Sequence, residues 1–238
     1  MRKVKMAVVA DWSVQMLCQA IRGFAYTKGL NVQIYEGSYD QMESELLDSA
    51  SSLYAFEPDY ILVFPCAEKL QERFHGTPND LRPTLAQREA DRIQLLCESA
   101  GANSSAKIIL SNYCEIYDGI YGNHAALMQA SFASVQREIN QKVCETAAGS
   151  SRIFLLDVSS LQGIYGRRAM HDSRLYYASK TVFAIDFLPV LAEQIIKIVN
   201  VISGSVKKCI ITDLDNTLWG GVIGDDGMDG IQIGSFGL

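Results

Sequence analysis

The sequence lacks most of the features that would place the chain outside ordinary globular proteins. Its six cysteines form no C-x-x-C pair and no cluster, so neither a disulfide framework nor a zinc site is predicted. No apolar run is long enough to cross a bilayer, and the net charge of −6 comes without the basic stripe that nucleic acid requires. The apolar run after MRKVK is short and is interrupted by Asp11, which favours a first strand over a signal peptide. We therefore expect a cytoplasmic protein that binds neither membranes nor nucleic acid.

What the sequence does contain is the composition and alternation of an α/β protein. Of its 238 residues 48% are hydrophobic and 20% are charged, which is enough for one large domain or two modest ones. Short apolar runs alternate with longer amphipathic ones, which predicts a parallel sheet covered by helices. The predicted strands are residues 4–10, 31–35, 60–64, 107–110 and 153–156. The predicted helices are residues 13–28, 41–56, 84–99, 125–146 and about 189–201, and residues 163–181 are expected to be irregular.

Near the C-terminus, a strand-like run leads directly into two acids. Residues 209–212, CIIT, are predicted to form a buried strand that delivers Asp213 and Asp215. Acids at i and i+2 lie on the same side of a strand, where they repel each other unless a cation such as Mg²⁺ binds between them. Asn216 and Thr217 then supply an amide, a hydroxyl and turn N–H groups that suit phosphate oxygens. The alternative is an Asp-rich turn that is stabilised by its own hydrogen bonds.

This stretch carries a family resemblance. DLDNT resembles the D-x-D-x-T motif of the haloacid dehalogenase (HAD) superfamily, and DLDNTLWGGVIGDDGMDGIQIG is similar to its FkbH-like branch, subfamily IIIC. The resemblance implies that Asp213 is the nucleophile, which becomes an aspartyl-phosphate, and that Asp215 is the general acid/base. It implies Mg²⁺ at Asp213 and Asp215, and a phosphorylated small molecule or acyl precursor as substrate. It also implies an acyl carrier protein as a partner.

The resemblance covers only the beginning of a HAD domain. Twenty-one residues follow Thr217, and they offer no later Ser/Thr, Lys or acidic pair in the expected strand context. Residues 203–238 are therefore interpreted as the first strand and flap of an incomplete HAD domain, and residues 1–202 as a separate α/β domain. Family activity is expected of a longer protein, and this chain alone is expected to be inactive.

In FkbH-like proteins the region before the HAD domain is similar to SGNH-type hydrolases, three-layer proteins with a flavodoxin-like sheet. Those enzymes place a serine in a G-D-S turn after strand one and an Asp-x-x-His pair late in the chain. Here the turn reads Ala10-Asp11-Trp12, with Ser13 one residue later, and no Asp-x-x-His is present. We therefore expect a domain that has lost its esterase chemistry and serves as a binding module for a carrier protein or glycan. The alternative is a serine esterase that uses Ser13 with His171.

Four side chains follow strand ends or lie in the polar segment, where ligands of parallel sheets bind: Asp11, Ser13, Asn112 and His171. Asn112 is interpreted either as an oxyanion donor or as a turn residue. His171 lies among arginines, in a loop that either contacts an anion or is solvated. Five loop tyrosines are interpreted either as the lining of a groove or as a half-buried rim: Tyr113, Tyr117, Tyr121, Tyr176 and Tyr177.

Overall fold

The computed structural model describes residues 1–205, 209–232 and 234. The chain divides into two compact units, Met1–Val199 and Asn200–Leu238, which are described separately. Within the described ranges, no helix combines the length and the apolar character that crossing a membrane requires. Lys207 and Lys208, which precede the predicted C-terminal strand, lie outside the described residues, as do Ile233 and residues 235–238.

The first unit is built on a five-stranded parallel sheet, as predicted. Its strands are β1 (Arg2–Ala10), β2 (Leu30–Glu36), β3 (Tyr60–Phe64), β4 (Lys107–Ser111) and β5 (Ile153–Leu156). Their order is β2-β1-β3-β4-β5, and every neighbouring pair is parallel. The chain therefore changes direction across the sheet at the β1–β3 neighbours, which is where parallel sheets commonly bind ligands.

Helices cover both faces of this sheet. They are α1 (Gln15–Thr27), α2 (Met42–Leu47), α3 (Ser52–Ala55), α4 (Ala67–Gly76), α5 (Leu85–Asn103), α6 (Phe132–Ala148), α7 (Val158–Tyr165), α8 (Arg167–Met170), α9 (Ser173–Ser179) and α10 (Leu188–Ile202). Alternate residues of β1 and β3 pack with α2, α4, α5 and α6 in one core cluster. The intervening strand residues are also buried, so β1 from residue 6 onward and all of β3 are apolar on both faces, as expected of central parallel strands.

Three predicted segments differ from the structure because side chains cap or break helices locally. The predicted helix 41–56 is divided into α2 and α3, and Asp48 in the turn between them accepts a hydrogen bond from the Ala50 N–H at 2.9 Å. The predicted helix 125–146 begins later, because Ser131 caps α6 by accepting from the Ser134 N–H. The segment 163–181, predicted to be irregular, contains α8 and α9, and Asp172 caps α9.

In the second unit, the predicted buried strand is wrong. Cys209–Thr212 belong to no strand, and the side chains of Ile210 and Ile211 are 86% and 94% exposed. A parallel strand needs neighbours for its backbone hydrogen bonds. The described residues of this unit supply only isolated bridges, Asp215 with Trp219 and Gly220 with Gln232. The one helix described within it is α11 (Ile223–Gly230), which is kinked at Gly227.

Candidate functional site

The carboxyl end of β1 places one acid in a buried position. Asp11 follows Ala10 directly and is 7% exposed. Its Oδ1 accepts a hydrogen bond from the Cys66 N–H at 2.7 Å, which ties the end of β1 to the chain after β3. Its Oδ2 is buried and has no hydrogen-bond partner among the described residues. Burial raises the pKa of Asp11 to about 6, although Arg73 and the Cys66 N–H both favour the charged form.

A cavity of about 290 Å³ opens beside this carboxylate. Arg73 of α4 and Arg92 of α5 line it together with Asp11, and residues 40–44 at the start of α2 complete its wall. The Nε of Arg73 is buried and has no partner within the described part of the chain. The buried carboxylate oxygen and the buried guanidinium N–H thus belong to two residues that line one small cavity, but neither atom is itself exposed to the cavity.

Glu89 forms ion pairs with both of the arginines that line the cavity. It is 2% exposed, and its Oε1 accepts from Arg73 Nη2 at 2.9 Å, Arg92 Nη2 at 2.5 Å and the Tyr113 hydroxyl at 2.6 Å. Burial alone would raise the pKa of Glu89, but the hydrogen bonds and charges of Arg92 and Arg73 outweigh it and lower the pKa. Arg92 also donates from Nη1 to Glu43 at 2.6 Å. The wall of the cavity is thus a fixed ion network.

The position expected for a serine nucleophile is filled by an aromatic core. Trp12 is 1% exposed, and its Nε1 donates to the Phe64 carbonyl at 2.9 Å. Its ring lies edge-on to Phe64 and Phe183, with centroids 5.2 and 5.4 Å away. The Ser13 N–H donates to the Lys180 carbonyl, and its hydroxyl makes no hydrogen bond to any described residue. Trp12 therefore packs in the core at the position expected for the nucleophile, and the only hydroxyl among residues 10–13 is that of the half-buried Ser13.

His171 lies near a carboxylate, and its buried Nδ1 has no hydrogen-bond partner among the described residues. Its Nδ1 lies 3.5 Å from Glu68 Oε1, which also accepts from Arg167 Nη2 at 2.9 Å. Burial and the Arg167 charge lower the pKa of His171, against the opposing effect of Glu68. Neutral His171 therefore belongs to a Glu68–Arg167 cluster at the start of α4. The structure contains no hydrogen bond between Ser13 and His171 among the residues it describes.

Asn112 links the ends of two strands. Its Nδ2 donates to Asp157 Oδ1 at 2.7 Å, and its Oδ1 accepts from the Ser159 N–H at 3.1 Å. The amide nitrogen and the amide oxygen of Asn112 are therefore both used in hydrogen bonds that join the end of β4 to the start of α7. Tyr113 is fully buried, whereas Tyr177 is 80% exposed, so the loop tyrosines do not share one groove.

In the second unit the two aspartates stabilise a turn. Asp213 Oδ1 accepts from the Leu214 N–H at 2.8 Å. Asp215 Oδ1 accepts from Trp219 Nε1 at 3.0 Å and from the Ile223 N–H at 3.2 Å. Asn216 adopts a positive φ of 54°, and its Oδ1 accepts from the Gly221 N–H, while Thr217 is exposed. These hydrogen bonds stabilise the turn, but none of them joins a side chain to the N–H two residues further on, which is the Asx-type bond of the alternative interpretation.

The carboxylates of this turn are the ligand type that Mg²⁺ prefers. One oxygen of Asp215 is already engaged twice, and the described residues form no group of three or more His, Cys, Asp or Glu side chains able to hold a metal. The turn therefore fits Mg²⁺ in the chemistry of its donors but supplies only part of a ligand set.

The sequence identified Asp11 as a candidate site residue but did not identify the residues that surround it. No hydrogen bond among the described residues joins any two of the four predicted candidates, Asp11, Ser13, Asn112 and His171. The missed residues are Arg73, Glu89 and Arg92. A signal for them exists, because Glu89 lies on the apolar face of α5, which buries Leu85, Ala86, Ala90, Ile93, Leu96, Cys97 and Ala100. A charged residue on a buried face needs a partner.

The buried carboxylate leads to a prediction about pH. Because the pKa of Asp11 is raised from 3.8 to about 6, its favourable contribution is complete below pH 3.8 and is lost as the pH rises through 6. An asparagine side chain in its place has no proton to lose. We therefore expect Asp11→Asn to gain up to about 3 kcal/mol in free energy of unfolding, relative to wild type, between pH 4 and pH 8. Urea denaturation at several pH values measures this difference, and a difference independent of pH would contradict it.

Comparisons with known proteins extend these observations. The model of the family described as "FkbH, N-terminal domain" matches residues 5–200. The crystal structure of the N-terminal part of BF1531 from Bacteroides fragilis, described as containing a phosphatase domain complexed with Mg, is 35% identical with a TM-score of 0.88. The match covers 99% of this chain, which spans 61% of that one. No curated protein matches the chain.

More distant structures confirm the hydrolase-like fold of the first unit and show the fold alone. An acetyl xylan esterase from Geobacillus stearothermophilus is 8% identical with a TM-score of 0.56, and the match covers 82% of this chain and 93% of that one. A lipase from a goat rumen metagenome has the same identity and TM-score, over 83% of this chain and 97% of its own.

Proposed function

The chain belongs to the family of FkbH N-terminal domains, and from that premise we propose that it is the front part of a Mg²⁺-dependent HAD phosphotransferase. The observation that carries this proposal is the run DLDNTLWGGVIG in the second unit. The relative from Bacteroides fragilis supports it, because that protein is described as containing a phosphatase domain and Mg, and its match extends over 99% of this chain.

In the proposed reaction, the Asp213 carboxylate attacks phosphorus and the bond from phosphorus to the leaving oxygen breaks, which gives an aspartyl-phosphate. Asp215 gives a proton to the leaving oxygen and later takes one from the water that hydrolyses the intermediate. The Asp213 carboxylate and the Asp215 carbonyl would hold Mg²⁺, which would supply positive charge to neutralise the charge on the phosphoryl group. Asn216 and Thr217 would contact the phosphate.

This function requires Cys209–Thr212 to become a strand. We propose that further strands of a complete HAD sheet lie beside this segment in the whole protein and form hydrogen bonds with its backbone N–H and C=O groups. The exposed Ile210 and Ile211 side chains would then be covered. The same change would bring the two aspartates to a strand end, in the arrangement that phosphoryl transfer needs.

For the first unit we propose a non-catalytic binding role, with a carrier protein or a glycan as the partner. The supporting observations are the burial of Trp12 and the separate environments of Ser13 and His171. A serine esterase needs a base within hydrogen-bond reach of its hydroxyl, which gives the alternative of a Ser13 esterase less support.

The test compares two proteins, the product of the complete coding sequence and the 238-residue chain. With p-nitrophenyl phosphate and Mg²⁺, the complete product is expected to release phosphate and the chain is expected to release none. A chelator should stop the release, and added Mg²⁺ should restore it. Release that is insensitive to Mg²⁺, or no release from p-nitrophenyl phosphate and a panel of phosphorylated acids, would contradict the proposal.

A further inference from the structure

We propose that the outer edge of β5 is an interface at which two copies of this chain pair, strand against antiparallel strand, into one continuous sheet. In this arrangement Phe154 of one copy lies opposite Phe154 of the other, on a two-fold axis. The interface belongs to the first unit alone and does not rest on phosphotransferase activity, so either proposal can fail without the other.

β5 is the last strand in the sheet order, so it has a neighbouring strand on one side only. The Ile108 N–H donates to the Arg152 carbonyl, and the Asn112 N–H donates to the Leu156 carbonyl. These bonds show that the backbone groups of even-numbered residues point towards β4. Because successive residues of a strand alternate in direction, the backbone groups of residues 153 and 155 point away from β4.

The outward groups of β5 are available to a partner. Among the described residues, the Leu155 N–H and the carbonyls of Ile153 and Leu155 make no backbone hydrogen bond outside the strand ladder, and the Ile153 N–H makes only a long one, 3.4 Å, to the Ser150 carbonyl. β4 pairs with one side of the strand and α6 packs on one of its faces, while no other described element makes extensive contact with it. An edge of this kind is a template for another strand.

The side chains of β5 lack the usual protection against such pairing. The strand reads IFLL, with no charge, proline or glycine, and its first three residues are only half-buried. The opposite edge strand, β2, differs, because it carries exposed polar side chains, and its Glu36 pairs with Arg22 at 2.7 Å. Charged and polar side chains are what discourage pairing at an edge, so the two edges of the sheet are not equivalent.

The length of β5 fixes the register of the pairing. Residues 151 and 152 form a turn and Asp157 caps α7, so the outward groups within the extended strand are those of Ile153 and Leu155. An antiparallel copy uses all of them only when Ile153 of one chain lies opposite Leu155 of the other. Phe154 then lies opposite Phe154 of the second copy. Apolar cross-strand pairs of these two kinds also stabilise a sheet.

The charges at the ends of β5 favour a second copy in this orientation. Arg152 precedes the strand and Asp157 follows it. The Arg152 guanidinium donates to the carbonyls of Gly101, Ser104 and Ala106 and forms no salt bridge within the described part of the chain, so its charge is not neutralised. Antiparallel pairing brings the start of each strand beside the end of the other, and so brings opposite charges together. The edge is therefore complementary to itself, as a two-fold interface requires.

The experiment measures the mass of the 238-residue chain by sedimentation velocity from micromolar to submillimolar concentrations. Because two short strands make a small interface, wild type is expected to form a dimer that dissociates on dilution. Leu155→Pro removes an outward N–H and no bond to β4, and proline is tolerated at such edge positions. It should weaken the dimer about tenfold or more, because each copy loses one donor to the other.

The matched control is a proline at the other edge of the sheet. The Gly37 N–H donates to the Val8 carbonyl, so even-numbered residues of β2 face away from β1. Ile34 is such a residue and is half-buried, as Leu155 is. Ile34→Pro should therefore dimerise as wild type does.

Cysteine cross-linking tests the interface and its register if Leu155→Pro fails to fold. Phe154→Cys places two thiols at opposed positions about 4.5 Å apart between Cα atoms, within reach of a disulfide, and should cross-link on mild oxidation. Ile153→Cys lies farther from its own copy than a disulfide spans and should not. Both variants carry Cys209→Ser, which removes the exposed native thiol. The proposal is overturned if wild type stays monomeric, if folded Leu155→Pro dimerises as wild type does, or if Phe154→Cys cross-links no better than Ile153→Cys.

Discussion

In the complete protein, for which we propose phosphotransferase activity, Asp213→Asn is expected to lower the rate of phosphate release by about a thousandfold or more. An amide has no charge to attack phosphorus and cannot form the aspartyl-phosphate. Removing the nucleophile of an enzyme that acts through a covalent intermediate typically costs at least this much. The measurement is the rate of phosphate release from p-nitrophenyl phosphate at saturating Mg²⁺ by wild type and variant.

The matched control is Asp225→Asn, which removes an exposed acid from α11 in the same unit. It changes the net charge equally and should leave the rate within about twofold of wild type, as expected for a surface position. Asp213→Asn is expected to unfold at the same urea concentration as wild type, because the oxygen of the new amide can still accept from the Leu214 N–H. A folded Asp213→Asn enzyme with full activity would remove Asp213 as the nucleophile.

Two strands of the sheet, β3 and β5, could be predicted from the sequence because all their residues are apolar. The bounds of β3 and β5 agree with the predicted runs 60–64 and 153–156. In a parallel sheet that helices cover on both faces, every residue of a central strand faces a helix. A local run of apolar residues is therefore enough to predict such a strand. Helix ends were predicted less well, because they depend on single capping side chains such as Ser131.

The wrongly predicted strand at residues 209–212 shows what a local sequence pattern cannot predict. Its four residues suit a buried strand, yet the structure leaves them exposed. Backbone hydrogen bonds to neighbouring strands decide whether such a run forms a strand, and those neighbours are not among the described residues. The conformation that the motif predicts for this segment is therefore wrong, while the chemistry that it predicts for the whole protein stays a prediction.

The residues around the cavity could be predicted only in part from the sequence, for a different reason. Asp11 could be placed at a strand end, but Arg73, Glu89 and Arg92 come from two helices and meet only in the folded core. The separation of Arg73 and Glu89 along the sequence gives no indication that the two side chains are in contact. A buried Glu on an apolar helix face indicates that a partner exists, and only the structure shows that the partners line a cavity.

Replacing Glu89 by Ala is expected to lower the free energy of unfolding by about 3–5 kcal/mol, the usual cost of removing one partner from a buried ion pair. Arg73 and Arg92 would both lose their buried carboxylate, and the Tyr113 hydroxyl, in a fully buried side chain, would lose its acceptor. Urea denaturation at pH 7 measures the change. The control is Glu138→Ala, an exposed acid 3.8 Å from Lys142, which should cost less than about 1 kcal/mol.

A conservative substitution at the same position separates the loss of charge from the loss of a hydrogen-bond acceptor. Glu89→Gln keeps the volume and one acceptor oxygen, and it should lose less stability than Glu89→Ala because the Tyr113 hydroxyl retains a partner. If Glu89→Ala costs no more than the Glu138→Ala control, the network of Glu89, Arg73 and Arg92 does not stabilise the fold.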